Sequence, residues 1–166
     1  MVLDMIQYAE KSLIPSFYEA LRSVAGEQIY IEMLTPPPLV QIIDFQTKMF
    51  AKGAPTYFAV DGSRVVGWCD ITPIENPRQA HRGGLGMGLI AEYRGRGLGL
   101  QLIQAALNTA QTFGLEKVEL AVYSSNDIAI RLYEKVGFVR EGLIEKYRKL
   151  GDDYFDAILM GKFLNR

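Results

Sequence analysis

Apolar positions recur along the chain with a period that changes from segment to segment. Residues 5–25 (MIQYAEKSLIPSFYEALRSVA) carry apolar side chains at helical spacing and are followed by Gly26. A first helix is predicted there, begun or kinked at Pro15. Residues 38–52 (PLVQIIDFQTKMFAK) predict a second helix, with Pro38 near its first turn and Gly53 just past its end. The prolines of TPPPL, residues 35–39, cannot continue a helix and give a short extended approach to it.

The period then shortens. TYFAV (56–60), DGS (61–63) and RVVGWCDITP (64–73) read as strand, turn and strand, with Asp61-Gly62 as the hairpin signal. GLGMGLI (84–90) reads as a glycine-rich strand, and KVELAVY (117–123) as a buried strand rich in branched residues. Between them an apolar helical pattern runs on from Gly97. SNDIAIRLYEKVG (125–137) predicts a helix with Ser125 or Asn126 as N-cap and Gly137 at its C-terminal end. FVREGLIEKYRKL (138–150) and YFDAILMGKFL (154–164) are strands joined by GDD. The order ααβββαβαββ predicts a mixed α+β or α/β sheet, with a parallel component between 84–90 and 117–123.

Composition narrows the classes. A chain of 166 residues, 49% apolar and 22% charged, suits one globular domain spanning 1–166. The net charge of -1, from 18 basic and 19 acidic residues, argues against nucleic-acid or membrane binding through bulk charge. The single cysteine, Cys69, excludes an internal disulfide, and the single histidine, His81, leaves little from which to build a zinc centre, so no metal is expected. No apolar run nears the ~18–20 residues of a membrane span. MVLDMIQYAEK lacks the basic and apolar regions of a signal peptide, so a cytoplasmic location is expected.

The chemistry concentrates in AEYRGRGLGLQLIQAALNTAQTFG, residues 91–114. Gly95, Gly97 and Gly99 alternate between a strand and a helix, interleaved with Arg94, Arg96 and Leu98. A glycine-rich turn there aims unpaired N–H groups and the positive end of the helix dipole at one spot, which suits phosphate. Glycines let the backbone approach the phosphate, and the two arginines add charge. A dinucleotide fingerprint needs a third glycine where Leu100 stands, and the Walker A lysine is absent, so both common nucleotide readings fail on spacing.

The pattern that fits is R-x-x-G-x-G, at Arg94, Gly97 and Gly99, and with it the chain resembles the GNAT family of N-acetyltransferases. A second signature follows at the expected distance: SSNDIAIRLYEKVGF, residues 124–138, is similar to the family's N-x-x-A-x-x-L-Y-x-x-x-G-F. Asn126, Ala129, Leu132, Tyr133, Gly137 and Phe138 match. The resemblance covers 57–164 and is weak over 1–55. It implies one domain with a mostly antiparallel sheet of six to seven strands, a splayed parallel pair and about four helices. It implies acetyl transfer from acetyl-coenzyme A, as co-substrate, to a small-molecule or peptide amine, and leaves a homodimer open.

The resemblance also implies roles. The pantetheine arm would fill the splay like an added strand, with backbone groups offered by Met87, Gly88 and Leu89 and the Leu89 N–H directed at the thioester carbonyl. The loop from Arg94 to Gly99 would hold the pyrophosphate. Asn126 and Tyr133 are two helical turns apart on one side, with Ile130 between, and can contact a ligand lying along the helix. The family role of a tyrosine here is general acid toward the departing thiolate; the plain alternative is a core tyrosine. Many members carry a glutamate early in the fourth strand, and Gly84 stands at about that place. Base duty then falls to His81, Asp70, Glu32, Glu75 or a water chain. The glycines at 83, 84, 86 and 88 make room either for a ligand or for close packing, and the ligand reading is favoured. Tyr30, Glu32, Met33, Trp68, Asp70 and the hairpin from Lys146 to Tyr154 are the expected acceptor walls. A second reading is an acyl-coenzyme A sensor that kept the fold and lost turnover: the missing glutamate favours it, and Asn126 and Tyr133 oppose it.

Overall fold

The structure, a computed structural model, describes residues 5–164. Its first element departs from the expected helix. Ile6–Tyr8 form a strand, β1, and the helix α1 starts only at Ile14 and runs to Gly26. Pro15 sets that start, since it lacks an N–H and its ring would clash with the carbonyl four residues back in a longer helix. The upstream residues instead pair with the open edge of the next strand, Ile6 against Ala59 and Tyr8 against Tyr57.

The other elements fall close to their predicted places. Helix α2 spans Leu39–Lys52 and ends on Gly53 in the left-handed region. The strands β2 (Thr56–Asp61), β3 (Arg64–Pro73) and β4 (Arg82–Leu89) are followed by α3 (Leu98–Phe113), β5 (Lys117–Tyr123), α4 (Asp127–Lys135), β6 (Val139–Leu150) and β7 (Asp153–Phe163). Of the two cap candidates for α4 it is Asn126 that caps, its side chain accepting from the Ala129 N–H at 3.2 Å.

The seven strands form one sheet in the order β1-β2-β3-β4-β5-β7-β6, antiparallel except for the β4–β5 pair. Helix α1 covers one face, where Phe17 stacks on Phe58 at 5.0 Å and meets Trp68 edge-on at 5.5 Å. Helix α3 covers the other, where the Tyr57 and Thr109 hydroxyls are 2.7 Å apart. The core includes fully buried Leu102, Ile103 and Ala106 of α3 under Cys69 and Ile71. Among the described residues no helix is long and apolar enough to cross a membrane.

The glycines of β4 divide between the two roles expected of them. At Gly88 an added Cβ would stand 2.3 Å from the Trp68 ring, and at Gly83 it would stand 2.7 Å from Ile71 and Leu115, so both serve close packing. Around Gly84 there is open space, and at Gly86 the nearest atoms are the Asp70 carboxylate oxygens at 3.6 Å. Gly88→Ala is expected to cost about 1–3 kcal/mol by forcing the indole aside, and Gly84→Ala under about 0.5 kcal/mol. Urea unfolding of the two variants checks this pair.

Candidate active site

The site grows from two local facts. The first is the loop after β4. Gly95 and Gly97 sit at φ of 73° and 80°, where a side chain would be strained. Gly97 immediately precedes α3, and no side chain caps that helix. The first N–H groups of a 16-residue helix and the positive end of its dipole therefore face outward together.

The arginines of this loop are placed differently from expectation. Arg94 Nε donates to the Leu89 carbonyl at 2.9 Å, and its two terminal nitrogens grip both Glu27 carboxylate oxygens at 2.8 and 2.5 Å. The guanidinium also stacks 4.4 Å from the Tyr30 ring centre. Arg94 thus straps the loop to the end of β4 and the end of α1, and Glu27 matches its charge. Arg96 donates to the Glu92 carbonyl at 2.6 Å and lies over Tyr93. Glu27 therefore matches the charge of Arg94, whereas Arg96 is held on a neutral main-chain carbonyl and keeps its charge beside the backbone N–H groups of the loop.

The second fact is the splay. β4 and β5 pair only at Arg82 with Lys117, Gly83 with Val118 and Gly84 with Glu119. An Arg82–Glu119 ion pair pins that end, and beyond it the strands part. The Ile90 N–H donates to Val66 and the Arg82 carbonyl accepts from Ile74. Antiparallel alternation then turns the backbone of Gly84, Gly86 and Gly88 toward β3, and that of Leu85, Met87 and Leu89 toward the gap. Met87 and Leu89 therefore turn main-chain groups to the gap, and Gly88 does not: its own are committed to the β3 ladder.

The gap opens into a cavity of about 1050 Å³ that runs from Gly95, Gly97 and Gly99 past Met87 and Leu89 to the space under α1 and α2. Asn126 and Tyr133 of α4 line it. Tyr133 is 7% exposed and its ring meets Phe138 edge-on. Burial pushes its phenol well above the ordinary tyrosine range, and Cys69 nearby adds to this. Tyr133 thus stays protonated, ready to donate, but as a weaker acid than an exposed tyrosine. On the opposite wall, burial pushes the Asp70 carboxyl up to about 7, although the Thr72 hydroxyl, 3.3 Å away, works to lower it.

A family model described as the acetyltransferase (GNAT) family matches residues 16–138. The chain belongs to the GNAT acetyltransferase family. It is 26% identical over 147 residues to an L-amino acid N-acetyltransferase, AaaT, of Escherichia coli, a match covering 87% of this chain and 91% of that protein. It is 31% identical over 110 residues to N-alpha-acetyltransferase 30 of Schizosaccharomyces pombe, covering 63% of this chain and 70% of the relative. A GNAT acetyltransferase from Streptococcus pneumoniae superposes with a TM-score of 0.88 at 27% identity, covering 95% of this chain and 97% of the other. The Salmonella typhimurium protein yncA, solved with acetyl-CoA, has a TM-score of 0.91 at 16% identity over 97% of this chain and 94% of its own, a likeness of fold.

Of the residues expected to hold the co-substrate, the cavity gathers Met87, Gly88, Leu89, Arg94, Gly95, Gly97, Gly99, Asn126 and Tyr133. Arg96, Leu98 and Ile130 are not in its lining. Leu98 and Ile130 point into the core, at 1% and 3% exposure. Of the base candidates, Asp70 and Glu32 line the cavity. Glu75 pairs with Lys52 on the surface at 3.2 Å, and His81 sits in the turn before β4. Sequence reading missed Gln46, whose buried carbonyl oxygen has no hydrogen-bond partner and whose side chain lines the cavity. The signal was present: Gln46 falls between Ile42 and Met49 on the buried stripe of α2, where an amide is out of place. It also missed Tyr123 of β5, whose buried hydroxyl sits beside the Arg148 guanidinium.

Asp70 carries a stability consequence. Its folded value near 7 lies above the ordinary 3.8, so the folded state holds a proton that the unfolded chain sheds between those values. Stability from this group is present below about pH 4 and lost as pH rises through 7. Asp70→Asn should therefore raise the Tm by a few degrees, with a gain that grows from pH 4 to 7 and levels off above, as read by thermal melts across that range.

Proposed function

We propose that this protein is an acetyl-CoA-dependent N-acetyltransferase whose acceptor amine enters from the α1–α2 side of the sheet. The observation that supports this best is the two-sided gap between β4 and β5. The glycine loop and Tyr133 lie on one side of it, and Asp70 in an aromatic cavity lies on the other. Acetyl-CoA supplies the activated acetyl group. The residues fit that co-substrate. The uncapped start of α3 and the N–H groups around Gly95 and Gly97 suit its diphosphate. The unpaired edge of Leu85, Met87 and Leu89 suits an extended arm bearing amides.

The chain's own groups divide the proton work. Asp70 takes a proton from the acceptor ammonium, a task for which a value near 7 is well matched. The Leu89 N–H faces the place where negative charge develops on the carbonyl oxygen, a donor worth roughly 3–4 kcal/mol in comparable sites. Tyr133 holds its proton and donates it to the sulfur side. Asp70 thus supplies the carboxylate that Gly84 leaves missing, which supports turnover over a sensor role. The relatives' names, an L-amino acid N-acetyltransferase and an N-alpha-acetyltransferase, support an amine acceptor.

Release of free coenzyme A in the presence of an amine panel tests the reading, and no release with any amine overturns it. Tyr133→Phe is expected to lower kcat by about 10- to 100-fold while acetyl-CoA affinity stays within roughly twofold; unchanged turnover removes Tyr133 from the reaction. The wild-type kcat/KM should rise with pH through about 7 as Asp70 deprotonates. Asp70→Asn should lower it by about 10²–10⁴ and abolish that limb.

A further inference from the structure

The acceptor half of the cavity has a lopsided charge. Its carboxylates are Asp70 on β3 and Glu32 at the mouth, in the loop between α1 and α2. Two cations line the whole cavity, Arg94 and Lys135. Arg94 is matched by Glu27, and Lys135 closes α4, on the far side of the sheet from α1 and α2. The hairpin of β6 and β7 brings three more cations near. Lys146 and Lys149 lie over the exposed Tyr154 ring. Arg148 lies over Tyr123 and Phe155, at 5.2 and 6.0 Å, held on those rings outside the cavity lining, with one terminal nitrogen buried and unpaired.

The other walls are apolar and aromatic: Phe17, Ile31, Met33, Ile42, Phe45 and Trp68. Into this space faces Gln46, 4% exposed, with its carbonyl oxygen unpaired. A buried acceptor without a donor costs about 1–3 kcal/mol until one arrives. Tyr147 reaches the same corner from a bulge in β6, where Lys146 adopts φ of 51° and its N–H donates to Asp156 at 2.7 Å. The Glu32 carboxylate lies close enough to the Tyr147 hydroxyl that, with burial, it pushes that phenol up to about 12, which sets Glu32 beside the aromatic wall.

We infer that this half of the cavity selects a small hydrophobic primary amine with no carboxylate beside the nitrogen. Rings with two carboxylates attract a cation, and the unpaired Gln46 carbonyl can accept one of its N–H groups. The same carboxylates repel the carboxylate of a free amino acid, and like charges brought together are an effective means of rejection. A peptide N-terminus would need main-chain partners beyond its first residue, where these walls offer side chains that are mostly apolar. The inference rests on the N-acetyltransferase reading for turnover, but not for binding.

The test uses three probes that share one ring: phenethylamine, L-phenylalanine and the peptide Phe-Gly-Gly. Each is measured for coenzyme A release and, by calorimetry, for binding to the protein loaded with coenzyme A. Phenethylamine is expected to exceed both others by at least about tenfold in kcat/KM and in affinity. Glu32→Lys, at an exposed loop position, should shrink its advantage over L-phenylalanine by roughly tenfold, an effect that a purely structural role of Glu32 would not produce. Gln46→Leu should weaken phenethylamine about tenfold. An L-phenylalanine preference, which would give Arg148 the role of anchor, overturns the inference. So does a peptide preference, or an amine-to-amino-acid ratio that Glu32→Lys leaves alone. Selective phenethylamine binding without coenzyme A release would sustain the inference while defeating the acetyltransferase reading.

Discussion

The whole arrangement depends on two strands that pair for three residues and then separate. β4 is held by its ladder to β3, and β5 by its ladder to β7, each along its full length. The Arg82–Glu119 pair, with Lys117 bridging Glu119 and Glu141, binds the two halves of the sheet at one end only. Gly83 lets Ile71 and Leu115 close tightly around that end. Past Gly84 the two halves part. The result is a row of main-chain groups on Leu85, Met87 and Leu89 with no strand opposite. Such groups need partners, so the split creates the cavity and suits the extended, amide-bearing arm proposed to fill it.

Much of this was legible in the sequence because the motifs are local. The glycine loop, the Asn126 cap, Gly137 at φ of 97° and the strand at Lys117–Tyr123 are set by residues within a few positions of one another. The N-terminal segment was misread for the complementary reason. MIQYAEK has helical spacing, but its fate is decided by the free edge of β2, more than fifty residues away, and by Pro15. The partners of Arg94 were hidden from the sequence for the same reason. Arg94 lies beside the phosphate loop in sequence, so its charge looked available, but Glu27 and Tyr30 arrive from the end of α1 to claim it. Gln46 and Tyr123 could be seen only as single polar groups on otherwise apolar patterns.

The strap fixes the geometry of the loop proposed to hold the diphosphate. A free arginine would attract phosphate but would also be mobile and hydrated. Here the cation serves geometry: it fixes the Leu89 carbonyl, the loop and the end of α1 relative to one another, while the first turn of α3 is left without a side-chain cap. The same contact joins the two halves of the cavity, because Tyr30 and Glu32 leave α1 immediately after Glu27. Displacement of the loop would therefore move an acceptor wall as well as the phosphate cradle.

Asp70 shows the conflict between stability and chemistry in one residue. It stands on a strand whose neighbours are buried, opposite Gly86, where the small residue leaves its carboxylate free to face the cavity. A carboxyl held near 7 is strained at neutral pH relative to one in water. The fold tolerates this because the surrounding aromatic core, Phe17 on Phe58 and against Trp68, supplies ample burial on the same face. That burial raises the carboxyl in the first place. The packing that stabilises the sheet and the basicity proposed for its reaction are thus one physical effect, and a variant that relaxes the core around Trp68 should lower the Asp70 value toward the ordinary carboxylate range as well as weaken the fold.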